Sequence, residues 1–456
     1  MVLFYIELNF KLNYQLNFIK KSFINAVKEY PRSLMLILKM DKHIPSSFEL
    51  MSVQIVRRHG NRNFLEDYTK KMPNLKCTQI QFGTKYFLDS YKKDRTISTL
   101  SLDIRNILNN PVYFEPVIAS VDKNDTSGLN FSDVYKENYS NNCEKGQLTD
   151  KGINLMEEFG KKLRQIYLTE YKFLAPNFGK NDVEFRAISK PRIIESLMCL
   201  LIGMFPEKFR KTPAQDDRIQ INLLTKNQDS MTGTCYQEFK NLDKEYCRTF
   251  LKKYDKSCKN IFEDIKILKP ETRSWKEAIY YLDDTFKCVH DYFEDSKNQN
   301  QENKAYKLYE ELKSKKDELE KLSIRSNFGI YFDQNNGKKA AMLRIGKFID
   351  ELGSKFYHLV EKELKKFYIY SGSDDVIASI LALFDLFDEK SPFPRFGSNI
   401  IFKLYKNKST QEKFVTIKYN QDTNINTKSE MTYNHLFSLK VFQDKVKSCN
   451  HVISKK

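Results

Sequence analysis

A short apolar run dominated by β-branched residues, Leu50, Val53, Ile55 and Val56, stops abruptly at Arg57-Arg58-His59-Gly60. Such a run reads as a buried strand that delivers basic side chains into a loop at its carboxyl end. The arrangement recurs twice. Val183, Phe185 and Ala187 alternate as a half-buried strand does and end at Ser189-Lys190-Pro191-Arg192, with residues 193–205 apolar nearly all round. Pro191 suits the first turn of a helix there. Residues 367–370 form a third apparent strand, ending at Ser371-Gly372-Ser373-Asp374 before an apolar helix over 376–387. Three strand-loop-helix units predict an α/β fold: a mostly parallel central sheet with helices on both faces.

The remaining chain fits around these units. Thr149 is a candidate N-cap, with Asp150 in the first turn and Met156, Phe159, Leu163 and Tyr167 at helical spacing. Residues 61–145 are rich in turn formers and read as long excursions with short helices. Residues 206–330 are charged and helical, and Leu308, Leu312, Leu319 and Leu322 share one face of a Lys/Glu-rich helix. That pattern predicts a solvated helical cap rather than a partner-binding coiled coil. A helix over 340–363 and closing strands over 400–405 and 414–419 complete the reading. The expected organisation is an N-terminal extension of unknown role (1–45, with a possible helix over 18–29), a first core part (46–205), a helical cap (206–335) and a second core part (336–456).

Open sheets of this kind bind ligands beyond the carboxyl ends of their strands, where the three loops converge. Those loops carry Arg58, His59, Arg62, Arg192 and Asp374. A phosphate ester suits the set, because planar guanidinium groups clamp its oxygens bidentately and a helix N-terminus near Arg192 adds oriented dipoles. The formal net charge of +17 also admits a nucleic acid as partner. Its Lys residues, however, are scattered among Asp and Glu instead of forming a patch or arm, which speaks against that partner.

These residues resemble the histidine acid phosphatases, the branch of the histidine phosphatase superfamily that includes phytases and inositol polyphosphate phosphatases. Arg58-His59-Gly60-Asn61-Arg62 matches the RHGxR signature. Gly146-Gln147-Leu148-Thr149-Asp150-Lys151-Gly152 resembles the GQLTxxG helix start, and the segment from Arg186 through Arg192 to Ser196 the second arginine motif. Tyr370-Ser371-Gly372-Ser373-Asp374 is similar to the YSxHD segment, and Ser398-Asn399-Ile400-Ile401-Phe402 to the strand after it. The match spans residues 48–405 in order.

The resemblance implies a phosphomonoesterase that needs no metal or other cofactor. His59 would be the nucleophile and form a phosphohistidine; Arg58, Arg62 and Arg192 would hold the phosphoryl oxygens, and Asp374 would protonate the leaving group. The substrate would be a small phosphate monoester, with an inositol phosphate among the candidates. Two departures stand out. Ser373 replaces the histidine of the HD pair, as a further substrate-binding position, and Asn63-Phe64 follows RHGxR where a proline usually ends the turn. The first leaves an alternative reading open, a non-catalytic phosphate-ligand binder. His290-Asp291 is not a substitute pair, because no strand precedes it and no apolar helix follows; His358 and His435 lack motif context too.

Family habit implies a secreted, lysosomal or vacuolar protein, although Glu7 and Lys11 interrupt the N-terminal apolar stretch before a signal core forms. No run approaches the roughly 20 apolar residues of a membrane span. Sequons at Asn124, Asn130, Asn138 and Asn407 fit a secreted surface, but a chain rich in Asn, Ser and Thr acquires them by chance. The eight cysteines include no CxxC pair. Cys199, in the most apolar stretch, is expected as a buried thiol; Cys235, Cys247 and Cys258 are the bridge candidates, and Cys77, Cys143, Cys288 and Cys449 carry no pattern.

Overall fold

The computed structural model describes residues 46–65, 102–103, 113–118, 145–206 and 220–451, apart from short stretches within the last two ranges. The N-terminal extension with its expected helix, Cys77, Cys143 and Cys235, and the sequons at Asn124, Asn130 and Asn138 lie outside the described residues.

Among the described residues, nine strands form one sheet: β1 (Phe48–Arg58), β2 (Leu102–Asp103), β3 (Tyr113–Ile118), β4 (Val183–Ala187), β5 (Gln220–Leu223), β6 (Phe367–Gly372), β7 (Asn399–Asn407), β8 (Lys413–Asn420) and β9 (Tyr433–Ser438). Their order is β2-β3-β5-β4-β6-β1-β7-β8-β9. The middle run β3-β5-β4-β6-β1 is parallel throughout, and the pairings outside it are antiparallel. The expected α/β class is therefore present, with parallel pairing where the three loops emerge. β1, β4 and β6 are side by side, so their carboxyl ends meet at one edge of the sheet.

Helices cover both faces. On one face α1 (Asp150–Arg164) crosses α2 (Pro191–Met204). The two backbones approach so closely that a Cβ on Gly160 would lie 2.0 Å from Leu200 O, and one on Gly203 2.1 Å from Glu157 O. Tyr167, just beyond α1, meets Phe367 of β6 edge-on at 5.2 Å. On the opposite face α7 (Gly337–His358) takes a hydrogen bond from Gln54 Nε2 of β1 to Leu352 O at 3.0 Å and packs Phe348 against Tyr370 of β6. α8 (Asp374–Leu383) and α9 (Leu439–His451) share that face, where Phe384 and Phe442 stack near Phe402. Thr149 caps α1 as expected, its hydroxyl accepting from Gly152 N, and Pro191 opens α2.

Between them stand α3 (Tyr236–Asp264), α4 (Trp275–Glu294), α5 (Lys304–Ser314) and α6 (Lys316–Phe328), which bury an apolar cluster of their own. The leucine face seen in the sequence belongs to two helices with a break at Lys315. Leu308, Leu312, Leu319 and Leu322 are all buried in this cluster, so they offer no coiled-coil surface.

Four expectations are corrected. Residues 113–118 are a strand of the central sheet, not part of a loop excursion, and residues 220–223, read as belonging to a helical stretch, supply its parallel neighbour β5. Cys247 and Cys258 are free thiols on α3, about three turns apart and beyond disulfide reach of each other. Asn407, read as a sequon, is 8% exposed, and its Oδ1 accepts hydrogen bonds from Ser409 and Thr410 N–H groups in the β7–β8 turn. Cys199 is a buried thiol as anticipated, and no helix among the described residues is long and apolar enough to cross a membrane.

Candidate active site

The end of β1 is pinned on every side. Arg58 N–H donates to Ser398 O at 2.8 Å, His59 N–H to Gly372 O at 3.2 Å, and Gly397 N–H donates to His59 O at 3.0 Å. Gly60 N–H donates to Ser196 Oγ, whose own proton goes to Arg192 O at 2.6 Å, tying the loop to the first turn of α2. Asn61 O accepts from both the backbone N–H and the hydroxyl of Thr149. Side chains are excluded at this crossing, since a Cβ on Gly152 would sit 2.1 Å from Asn61 O and one on Gly60 2.8 Å from Gly152 O. The two glycine-bearing motifs are thus two halves of one backbone contact.

This scaffold fixes the His59 imidazole. Nδ1 lies 2.8 Å from Gly60 O, and a carbonyl can only accept, so the proton resides on Nδ1 and the lone pair on Nε2. Arg192 Nε donates to that Nε2 at 3.4 Å, a long contact. Burial, reinforced by Arg192, Arg58 and Arg62, holds the His59 pKa well below the usual histidine range, against a small opposing pull from the Gly60 carbonyl. The ring is neutral into acid solution, with its basic nitrogen directed to the guanidinium cluster.

Around His59 the structure gathers Arg62, Arg192, Ser373 and Asp374 on one cavity of about 540 Å³, a size suited to a small organic ligand. Arg58 stands behind, its Nη2 2.8 Å from Asp374 Oδ2, and its guanidinium lies 4.3 Å from the centre of the Phe396 ring. Asp374 begins α8 and also accepts from Asp375 N–H at 3.1 Å. Burial pushes its carboxyl up, but Arg58, Arg62, the Asp375 N–H and Arg192 outweigh that and hold it below the ordinary aspartate value. Ser373 is the N-cap of α8 and lines the cavity beside it. Arg192 makes no ion pair among the described residues; burial and Arg62 lower its pKa to about 10, and it stays charged.

The profile of the histidine phosphatase superfamily (branch 2) matches residues 49–420, most of the chain. The chain belongs to this family. Human 2-phosphoxylose phosphatase 1 is 24% identical to this histidine phosphatase over 396 residues, covering 84% of this chain and 72% of that protein. Bovine lysophosphatidic acid phosphatase type 6 is 24% identical over 383 residues, covering 81% and 77%. Among solved structures, the phytase of Klebsiella sp ASR1 superimposes with a TM-score of 0.52 over 90% of this chain and 95% of its own, at 11% identity, a likeness of fold.

Several site residues of this histidine phosphatase carry no signal in the sequence. Asp284 on α4 binds Arg62 with both oxygens, at 2.7 and 3.0 Å. Phe396 lies under both Arg58 and Arg62 and beside the His59 ring. Tyr280, Tyr281, Lys190 and Arg344 line the cavity, and Arg344 pairs with Asp375 at 3.0 Å. Burial raises the Asp375 pKa against the pull of Arg344. Arg186, the first residue of the second arginine motif, is committed to Asp229 at 2.5 Å and Glu351 at 2.6 Å and does not line the cavity. His290 is in the helical cluster, where its Nδ1 meets Tyr309 Oη at 2.8 Å, and it is not among the cavity residues.

Proposed function

We propose that this histidine phosphatase hydrolyses phosphate monoesters through a covalent phosphohistidine on His59. The observation that carries the reading is the His59 tautomer: with the proton tied to Gly60 O, the lone pair is on Nε2, engaged by the long 3.4 Å contact from Arg192 Nε, a donor that a phosphoryl oxygen takes over when substrate binds. Nε2 attacks phosphorus, the P–O bond to the leaving group breaks, and protonated Asp374 delivers its proton to the departing oxygen. Water then attacks phosphorus, Asp374 takes up the water's proton, the Nε2–P bond breaks with its electron pair returning to Nε2, and inorganic phosphate leaves. Arg58, Arg62 and Arg192 supply positive charge where negative charge builds in the transition state.

Asp374 must be protonated for the first half of this cycle, yet the guanidinium groups favour its carboxylate. A phosphoryl dianion arriving between them competes for the same cations and pushes the Asp374 pKa up. Ser373 offers a hydroxyl where the family has a cationic histidine, a weaker donor to the same phosphate. This substitution supports a second reading, in which the site binds a phosphate ligand without turning it over. Lys190 and Arg344 extend positive charge along the cavity and make an inositol phosphate one candidate ligand. The depressed His59 pKa suits an acidic lysosomal, vacuolar or extracellular setting.

Purified protein assayed with an aryl phosphate separates the two readings. Hydrolysis by the wild type that is lost in His59→Ala is the expected result. Equal rates for wild type and variant reject turnover at this site, and titration calorimetry with an inositol phosphate then measures binding alone.

A further inference from the structure

The Arg62 guanidinium has five N–H donors, and three of them are already spent. Nη1 donates to Asn63 O at 3.0 Å and to Asp284 Oδ2 at 3.0 Å, while Nη2 donates to Asp284 Oδ1 at 2.7 Å. The carboxylate therefore occupies the end-on fork. What remains is the Nε–H and the second Nη2 hydrogen, a parallel pair on one edge; Nε is buried from water with no hydrogen-bond partner among the described residues, and Arg62 lines the cavity. Both partners are almost fully withdrawn from water, with side-chain exposures of 2% and 5%. Asp284 Oδ2 also accepts from Leu65 N–H at 3.2 Å, so one carboxylate holds the guanidinium plane and the backbone that follows it.

Asp284 reaches this loop from α4, whose apolar face is buried in the separate helical cluster, and Phe64 and Phe396 pack on that same cluster. The orientation of a phosphate-clamp arginine is thereby set by the helical insertion rather than by the sheet. We infer that Asp284 is a positioning residue for the phosphatase reaction: it fixes the Arg62 plane so that its free Nε–Nη2 edge is presented to the phosphoryl group. The inference rests on the proposed role of Arg62 as part of the phosphate clamp.

The sign of one measurement separates positioning from mere proximity. A carboxylate that only adds negative charge near the site would, once neutralised, let an anion bind more tightly. A carboxylate that aims Arg62 would, once neutralised, weaken anion binding, because an amide has one acceptor oxygen and sets its NH2 donor against the other Nη group, breaking the two-oxygen fork. Asp284→Asn is expected to lose about 10- to 100-fold in orthophosphate affinity and in kcat/KM, the worth of one misdirected charge-assisted hydrogen bond. In a double-mutant cycle, Arg62→Lys together with Asp284→Asn should lose no more than Arg62→Lys alone.

Orthophosphate affinity is measured by calorimetry on the full chain beside a thermal melt, so that it is read on folded protein. Should Asp284→Asn not fold, Asp284→Glu keeps the charge but displaces the guanidinium, and the same loss of affinity is expected. Unchanged or tighter orthophosphate binding, or losses in the double variant equal to the product of the single ones, overturns the inference. A wild type that binds orthophosphate but hydrolyses no ester rejects the proposed reaction instead, and the affinity readout still decides the role of Asp284.

Discussion

Arg58 and Asp374 form a 2.8 Å ion pair at the carboxyl ends of two neighbouring parallel strands. The register of β1 and β6 places Arg58 opposite Gly372, two residues before the acid, so the pairing follows from strand alignment. The proposed proton donor is thus held as a carboxylate by a proposed phosphate ligand, and substrate binding and acid strength are linked through one guanidinium group.

Replacing the acid tests that link. Asp374→Asn should lower kcat by about 10²- to 10⁴-fold for an alkyl phosphate, whose alkoxide needs a proton. An aryl phosphate with an acidic phenol leaves unaided and should lose far less. Steady-state rates on the two substrate types check this, and equal losses would remove Asp374 from the proton-transfer step.

The low His59 pKa makes a prediction about acid solution. Burial is its first cause and Arg192 its second, so Arg192→Ala should move the His59 pKa upward and protonate Nε2 at higher pH. The acid limb of kcat/KM should therefore shift to higher pH in the variant, alongside the loss of binding. A pH-rate profile with an unmoved acid limb would show that Arg192 does not govern the imidazole.

Restoring the family histidine is the complementary change. Ser373→His should raise the rate by about 10- to 100-fold, through a charge-assisted hydrogen bond worth about 1.5–3 kcal/mol. A cationic imidazole beside Asp374 also favours the carboxylate, so the optimum should move to lower pH. An unchanged or higher optimum would contradict the electrostatic account of the acid.

Glu195, one turn into α2, gives a stability test away from the reaction. Burial raises its pKa to about 7, with Arg192 pulling the other way. The native state therefore holds a proton that the unfolded chain releases near 4.5, and this contribution is complete below that pH and lost as pH rises through about 7. Glu195→Gln should match the wild type in denaturant melts at pH 4.5 and exceed it by about 2–3 kcal/mol at pH 8.5. A difference independent of pH would place the carboxyl in water.

The site was legible where local pattern and position in the chain coincide. The apolar run before Arg58-His59-Gly60, the Thr149 cap, Pro191 at a helix start and the strand before Ser373-Asp374 all have short-range signatures, and each forms as read. Asp284 has none, since an acid on an amphipathic helix reads as a solvated face until the fold brings Arg62 against it. β5 is four residues long, too short for periodicity to register, and it is a strand because β3 and β4 pair with it on both sides. Phe396 precedes its strand in a loop, and its value lies in two guanidinium groups supplied by β1 and its loop.

The central claim is a covalent bond between phosphorus and His59 Nε2. Rapid quenching of the enzyme during turnover of an aryl phosphate, followed by peptide mass spectrometry under alkaline conditions, should find an acid-labile phosphoryl group on His59 and on no other residue. Turnover with His59 unmodified, or a phosphoryl group carried by a different side chain, would contradict it.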